Sequence, residues 1–346
     1  MRILVIVFSL LILFLGGFYL RNYLSGSTRY ETVSPLGSLQ LPLERSVPTP
    51  APSEAPQSDL SKYDFEVLRR QVFPGSPITL IRKTKVEKNF TTYTFSYKSQ
   101  GKKITGQANL PAGSGKFPVV IMVRGYVDWE NYFTGAGTHK AADFFAQNGF
   151  VTLATDFLCF GGSDACAPDI LEARFEKPLA VLDLLASIKN LPQADPNKVF
   201  LWAHSNGGQI TLSVLEITKQ PIPTVLWAPV TKGFPESVTA FMGSEDEYGE
   251  NQMKVKNRID EFLASYDPKK YSIDNYFADV QAPIQLHQGT YDPLVPVKWS
   301  DDFTDKMKSL GKQITYFKYS KNDHNLKQDW DLVVQRNIEF YRSFLK

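Results

Sequence analysis

Only four histidines and two cysteines could offer an imidazole or a thiolate to a metal among 346 residues. The cysteines are seven positions apart with no histidine nearby, which argues against a zinc site. There is no H-E-x-x-H and no P-loop, so neither a zinc peptidase nor a nucleotide-binding protein is indicated. Charge of one sign is scarce as well: 38 Lys and Arg face 36 Asp and Glu, a net +2. Nucleic-acid binding therefore has no electrostatic footing. No internal repeat is visible, and no cofactor or metal is expected.

Charge is also missing from Ile3 to Leu20, an 18-residue apolar stretch between Arg2 and Arg21. As a helix it would run roughly 27 Å, close to the ~30 Å hydrocarbon core of a bilayer. Residues 1–24 are expected to be a transmembrane signal anchor, with a cleaved signal peptide as the alternative. The catalytic domain is then expected outside the cytoplasm, tethered to the membrane or secreted after cleavage. Residues 25–60 carry prolines at 35, 42, 48, 50, 52 and 56 among Ser, Thr and Glu, a composition suited to an extended linker. An arm packed on the domain is the other reading. Residues 61–346 form the expected catalytic domain.

Apolar runs recur through that domain. Phe90 to Tyr97 and Lys103 to Leu110 alternate around Ser99-Gln-Gly-Lys102 and read as an antiparallel hairpin. Strand-like runs follow at 117–123, 150–156, 199–203, 224–229, 283–288 and 313–319. Helical stretches lie near 137–148, 169–190, 206–218, 297–310 and 328–345. Such alternation predicts a mostly parallel sheet with helices on both faces. Ligands bind beyond the carboxyl ends of such strands. Residues 231–280 are too long for a short crossover. They read as a small cap insertion or as an ordinary surface excursion.

The run Val199-Phe-Leu-Trp-Ala-His-Ser-Asn-Gly-Gly208 passes from apolar strand to helix through Ser205. A nucleophile elbow looks like this, with small residues two before and two after the serine. Ala203 stands where glycine is usual. Alone, the run fits a helix N-cap equally well. The test is whether Asp and His follow in order, each just past a strand. Asp292 follows the strand 283–288, and His324 follows 313–319. Of the four histidines, His139, His204, His287 and His324, only the last comes after Asp292. His204 should point away from the serine hydroxyl, His287 reads as a core residue, and His139 as a surface or capping one.

The chemistry assigns each part a role. Ser205 is the nucleophile, His324 the base that takes its proton, and Asp292 the acid that orients the imidazole. The oxyanion needs donors already in place. One should be the backbone N–H of Asn206, the other a group on the loop beginning Arg124-Gly-Tyr126.

These residues resemble an α/β-hydrolase, and within that fold the prolyl oligopeptidase family of serine peptidases. The likeness rests on Ser205-Asn-Gly-Gly208, Gly289-Thr-Tyr-Asp-Pro-Leu-Val-Pro296 and Asp323-His324, with Asp195-Pro-Asn-Lys-Val-Phe200 and Phe160-Gly-Gly-Ser-Asp164. It covers roughly residues 75–345. Dienelactone-hydrolase-like and acyl esterases share most of these motifs. The resemblance implies a serine hydrolase cleaving a peptide or ester bond of a small substrate, with peptidase activity slightly favoured. The family's propeller domain has no room before the catalytic domain, which speaks for a broader hydrolase. Carboxylesterase, acyltransferase and an idle binding module are the alternatives. In some relatives a tyrosine hydroxyl from the oxyanion loop is a donor, and Tyr126 is similarly placed.

Trp129, Tyr132 and Phe133 are candidates for lining a substrate pocket or for aromatic core packing. Asp128 and Glu130 either bind a substrate amino group or form a solvated acidic loop. Cys159 and Cys166 would staple the loop after Asp156 in an oxidising compartment. Free thiols are the alternative.

Overall fold

Phe90–Ser99 (β2) and Lys102–Pro111 (β3) pair as a regular hairpin from Phe90↔Pro111 to Ser99↔Lys102. Gln100 and Gly101 make its two-residue turn, both at positive φ (48° and 81°). This turn matches the twist of the strands it joins. The hairpin belongs to a nine-stranded sheet. The computed structural model describes residues 58–242 and 252–345, all within the unit Pro56–Lys346. The apolar stretch 3–20 lies outside the described residues, as does the linker up to residue 57. Among the described residues no helix is long and apolar enough to cross a membrane.

The later strands are Phe117–Val123 (β4), Val151–Thr155 (β5), Ala194–His204 (β6), Thr224–Trp227 (β7), Ile284–Gly289 (β8) and Ile314–Tyr319 (β9). Among β4 to β9 every pairing is parallel, and β5 joins this block to the hairpin by pairing antiparallel with β3. Their apolar runs follow from burial on both faces. Val119, Ile121 and Val123 of β4 join one core cluster, and Val120 and Met122 the other. The first core is shared with helices Ile170–Ser187 (α2), Asn206–Thr218 (α3), Gln252–Ser265 (α4) and Val297–Ser309 (α5). The second is closed by His139–Gln147 (α1) and Trp330–Ser343 (α6). Strand order reverses at β4, which has β5 on one side and β6 on the other. Such a switch point leaves a crevice at the carboxyl ends of the strands.

One strand escaped the sequence reading. Thr79–Val86 (β1) pairs antiparallel with β2 at the sheet edge and is almost wholly exposed. It carries Arg82, Lys83 and Lys85. With neither face buried, it shows no apolar alternation to detect. The arm also packs sooner than composition suggested. Leu60 is fully buried, and its N–H donates to the Tyr266 hydroxyl at 3.1 Å. Tyr63, Phe65 and Leu68 are buried beside it.

In the 231–280 excursion, α4 lies against α2. Arg258 Nε donates to Asp169 Oδ2 at 2.6 Å, and Phe262 packs with Phe175, Phe234 and Tyr271. The described part of the excursion is thus built onto the helical layer.

Candidate active site

Ser205 holds φ 57° and ψ −125° between the end of β6 and the first turn of α3. An L-residue there carries strain on the order of 1–3 kcal/mol, which the surroundings must offset. They do so by gripping its backbone. The Ser205 N–H donates to the Trp227 carbonyl, and its own carbonyl accepts from Gly208 and Val230, each at 2.9 Å. Gly207 is obligatory, since a Cβ there would lie 2.2 Å from the Val123 carbonyl oxygen. Ala203 is fully buried in the strand, where a methyl group is accommodated. The turn at Ser205 thus has a small residue at each of its two crowded positions, Ala203 and Gly207.

The loop after β4 meets Ser205 directly. A Cβ on Gly125 would come within 2.6 Å of Ser205 Cβ and 3.2 Å of its Oγ. Arg124, 2% exposed, fixes this loop: Nη1 donates to the Gly125 carbonyl at 2.9 Å and Nη2 to the Asp156 carbonyl at 3.2 Å. Its guanidinium also stacks on Phe160 and Tyr132, 4.3 and 4.8 Å from their centroids. Such cation–π contacts gain strength where water is excluded. Asp156 completes the brace, accepting from Thr105 and Thr134 at 2.6 and 2.9 Å and from Tyr132 at 2.5 Å. Burial raises the Asp156 carboxyl above the usual range, although these donors pull the other way.

Asp292 and His324 come together from the ends of β8 and β9. Nδ1 of His324 and Oδ2 of Asp292 are 2.8 Å apart. With Nδ1 donating to the carboxylate, Nε2 is the ring nitrogen left unprotonated and able to accept a proton. The Asp292 side chain is fully shielded. Its Oδ1 accepts from the Leu294 and Val295 N–H groups at 2.9 Å each, and its Oδ2 from Gln288 Nε2 at 2.9 Å. Burial opposes its ionisation, but the hydrogen bonds from His324, Val295 and Leu294 prevail and hold its pKa below the ordinary value. Ser300 in turn donates to Gln288 Oε1 at 2.8 Å.

His204 lies beside this pair. Its Nε2 is 3.0 Å from the His324 carbonyl, and the two rings sit 4.6 Å apart. Burial and the neighbouring His324 lower its pKa to about 4, so it is neutral at pH 7 and donates from Nε2. The side chain therefore turns to the histidine loop. His287 is a core residue, within hydrogen-bond distance of Tyr319, Gln285 and Asn337. His139 opens α1 on the surface.

The remaining expected residues fall as follows. Asn206 is the first residue of α3, where N–H groups have no partner within the helix. The Tyr126 hydroxyl donates to Asp128 Oδ1 at 2.5 Å, on the exposed rim. Tyr132 belongs to the Arg124 brace, whereas Trp129 and Phe133 are exposed. Cys159 and Cys166 are joined in a disulfide. Among the described residues no cluster of His, Cys, Asp and Glu could hold a metal. Sequence reasoning missed Arg124, Asp156, Gln288 and Ser300. Arg124 and Asp156 find most of their partners far along the chain, and Gln288 and Ser300 stand next to other polar residues with nothing to mark them.

Residues 138–346 match the prolyl oligopeptidase family. No curated protein matches the chain. Among solved structures, acetyl xylan esterase 1 from Thermoanaerobacterium sp. superposes with TM-score 0.59 at 16% identity, over 81% of this chain and 94% of that one. Est1E from Butyrivibrio proteoclasticus, solved with ferulic acid bound, gives 0.54 at 16%, over 72% and 98%. The Pyrococcus horikoshii acylaminoacyl peptidase gives 0.55 at 17%, over 75% of this chain but 44% of that one. At these identities the likeness is one of fold, the α/β-hydrolase fold.

Proposed function

The chain belongs to the prolyl oligopeptidase family of serine hydrolases, and from that premise we propose that it hydrolyses carboxylic esters of small substrates through an acyl-enzyme on Ser205. The observation that carries the reading is the shielded Asp292–His324 hydrogen bond, 2.8 Å long, tied through His204 to a serine held in a strained elbow. His324 Nε2 takes the Ser205 proton as Oγ attacks the carbonyl carbon. Asp292 stays ionised and stabilises the imidazolium. The oxyanion accepts from the Asn206 N–H and from the backbone around Gly125 and Tyr126. His324 then protonates the departing alkoxide, and water repeats the sequence to release the acid.

Esters are preferred over peptides because the fold superposes on 94% of acetyl xylan esterase 1 but on only 44% of the acylaminoacyl peptidase. Peptide-bond cleavage is the second reading, favoured by the family match itself. An idle fold would have no use for the hydrogen bonds converging on Asp292. The apolar stretch 3–20 is proposed as a membrane anchor holding this domain outside the cytoplasm.

The test is covalent labelling of the full chain with a fluorophosphonate, beside Ser205→Ala and His324→Ala, followed by assays of short acyl esters and aminoacyl anilides. Labelling that maps to Ser205 and is lost in both variants supports the mechanism. Ester turnover without anilide turnover supports the substrate class. A folded chain that is never labelled would overturn both.

A further inference from the structure

A cavity of about 620 Å³ opens beside the loop that carries Trp129. Its wall is the disulfide Cys159–Cys166, with Pro168, Ile170 and Ala173 beyond it. Two observations make this more than a surface hollow. First, the Trp129 ring is 61% exposed yet oriented, since Nε1 donates to the Cys159 carbonyl at 3.2 Å. Second, the polar side chains on the wall are partly engaged. Asp164 Oδ2 accepts from the Lys103 N–H at 2.7 Å, and Ser163 Oγ accepts from the Thr105 N–H at 2.9 Å. A ligand meets chiefly an indole face, two sulfur atoms and aliphatic carbon, with Asp164 Oδ1 the remaining carboxylate oxygen.

The cavity belongs to the same end of the sheet as Ser205. Strands β4 and β5 are neighbours, paired to Met122↔Ala154. The loops leaving their carboxyl ends therefore run side by side. Gly125 touches Ser205, and Trp129 follows four residues later, at most about 14 Å along the chain. One substrate of moderate size can reach both.

We propose that Trp129 and the Cys159–Cys166 wall form a subsite for an apolar ring on the substrate, next to the bond that Ser205 attacks. The proposal rests on the ester-hydrolase reading above. A planar ring offset-stacks on the indole and gains from burying apolar area. A sugar ring could stack on the indole as well, but it would set hydroxyls against the sulfur and aliphatic carbon of the wall. The disulfide positions the subsite by holding the Cys159 carbonyl that orients the indole. The ring closes on itself as well: the Cys159 N–H donates to the Asp164 carbonyl at 2.9 Å.

The test uses the full chain in a pH-stat, comparing benzyl acetate with methyl acetate and vinyl benzoate with vinyl acetate. At least one ring-bearing ester is expected to exceed its plain partner in kcat/KM, chiefly through KM. Trp129→Ala should reduce that ratio by about ten-fold or more, Trp129→Phe should keep most of it, and reduction with alkylation of the disulfide should lower it as Trp129→Ala does. An equal loss for all esters, or no ring preference in the wild type, overturns the subsite. If no ester is turned over and Ser205 is never labelled, the ester reading fails by itself. Calorimetric titration of Ser205→Ala with benzamide then judges the subsite: binding abolished by Trp129→Ala upholds it, and absence of binding removes it.

Discussion

The imidazole of His204 lies 4.6 Å from that of His324 and is hydrogen-bonded through Nε2 to its carbonyl oxygen at 3.0 Å. The residue preceding the nucleophile thus holds the backbone of the base. Because His204 is neutral, it does this without placing a second positive charge next to the imidazolium that forms during catalysis. His204→Phe should keep the ring packing and lose the hydrogen bond. We expect kcat/KM for a short ester to fall about ten-fold, the worth of one such bond. An unchanged Ser205 labelling rate would show that the loop holds its own position.

Gly125→Ala tests the contact between the loop and the nucleophile. The added methyl must push against Ser205 Cβ, built at 2.6 Å. Fluorophosphonate labelling should slow by about a hundred-fold, the scale of losing an oxyanion donor, with the circular dichroism spectrum retained. Labelling at the wild-type rate would mean that the loop yields.

Tyr126→Phe separates side chain from backbone. The Tyr126 hydroxyl is bonded to Asp128 on the rim, so turnover should change by less than about three-fold, far short of the hundred-fold or greater loss of an oxyanion donor. A loss on that larger scale would assign the donor to the hydroxyl after all.

Acid should destabilise the fold through its neutral histidines. Burial, then the nearby Arg336, lowers His287 to about 3 from 6.5, and burial lowers His204 to about 4. The unfolded chain takes up protons below pH 6.5 that the folded chain refuses. Their stabilisation is complete above pH 6.5 and is lost as pH falls toward those lower values. Fully buried His287 accounts for up to about 1.4 kcal/mol per pH unit in that window, and His204 adds in the same direction. Urea midpoints between pH 6.5 and 4.5 should therefore drop steeply, and less steeply in His287→Gln. Equal slopes would rule this origin out.

The parallel strands and the elbow were legible because their signals are local. Strands buried on both faces are continuous apolar runs, and a tight turn demands small residues within two positions of the serine. The order of Ser205, Asp292 and His324, each after such a run, carried the rest. The braces were not legible. Arg124 is recognisable only once Phe160, Tyr132 and the Asp156 carbonyl surround it, and those lie 8 to 36 residues away. Gln288 looks like any polar residue at a strand end until Asp292 folds back onto it. Nor could spacing alone decide between core and pocket for Tyr132 and Trp129, three residues apart on one loop. Their hydroxyl and indole partners separate them.

Strand β1 has a consequence for the life of the protein in a crowded solution. A sheet edge invites further strands to add to it, and an exposed edge can template fibres. Here the outermost strand offers an incoming chain Arg82, Lys83 and Lys85, and its pairing with β2 shifts register between Leu80 and Arg82 and again between Lys83 and Lys85. A second copy of the same edge would bring cations against cations on a bent ladder. At this edge the sheet thereby sets its own outer limit.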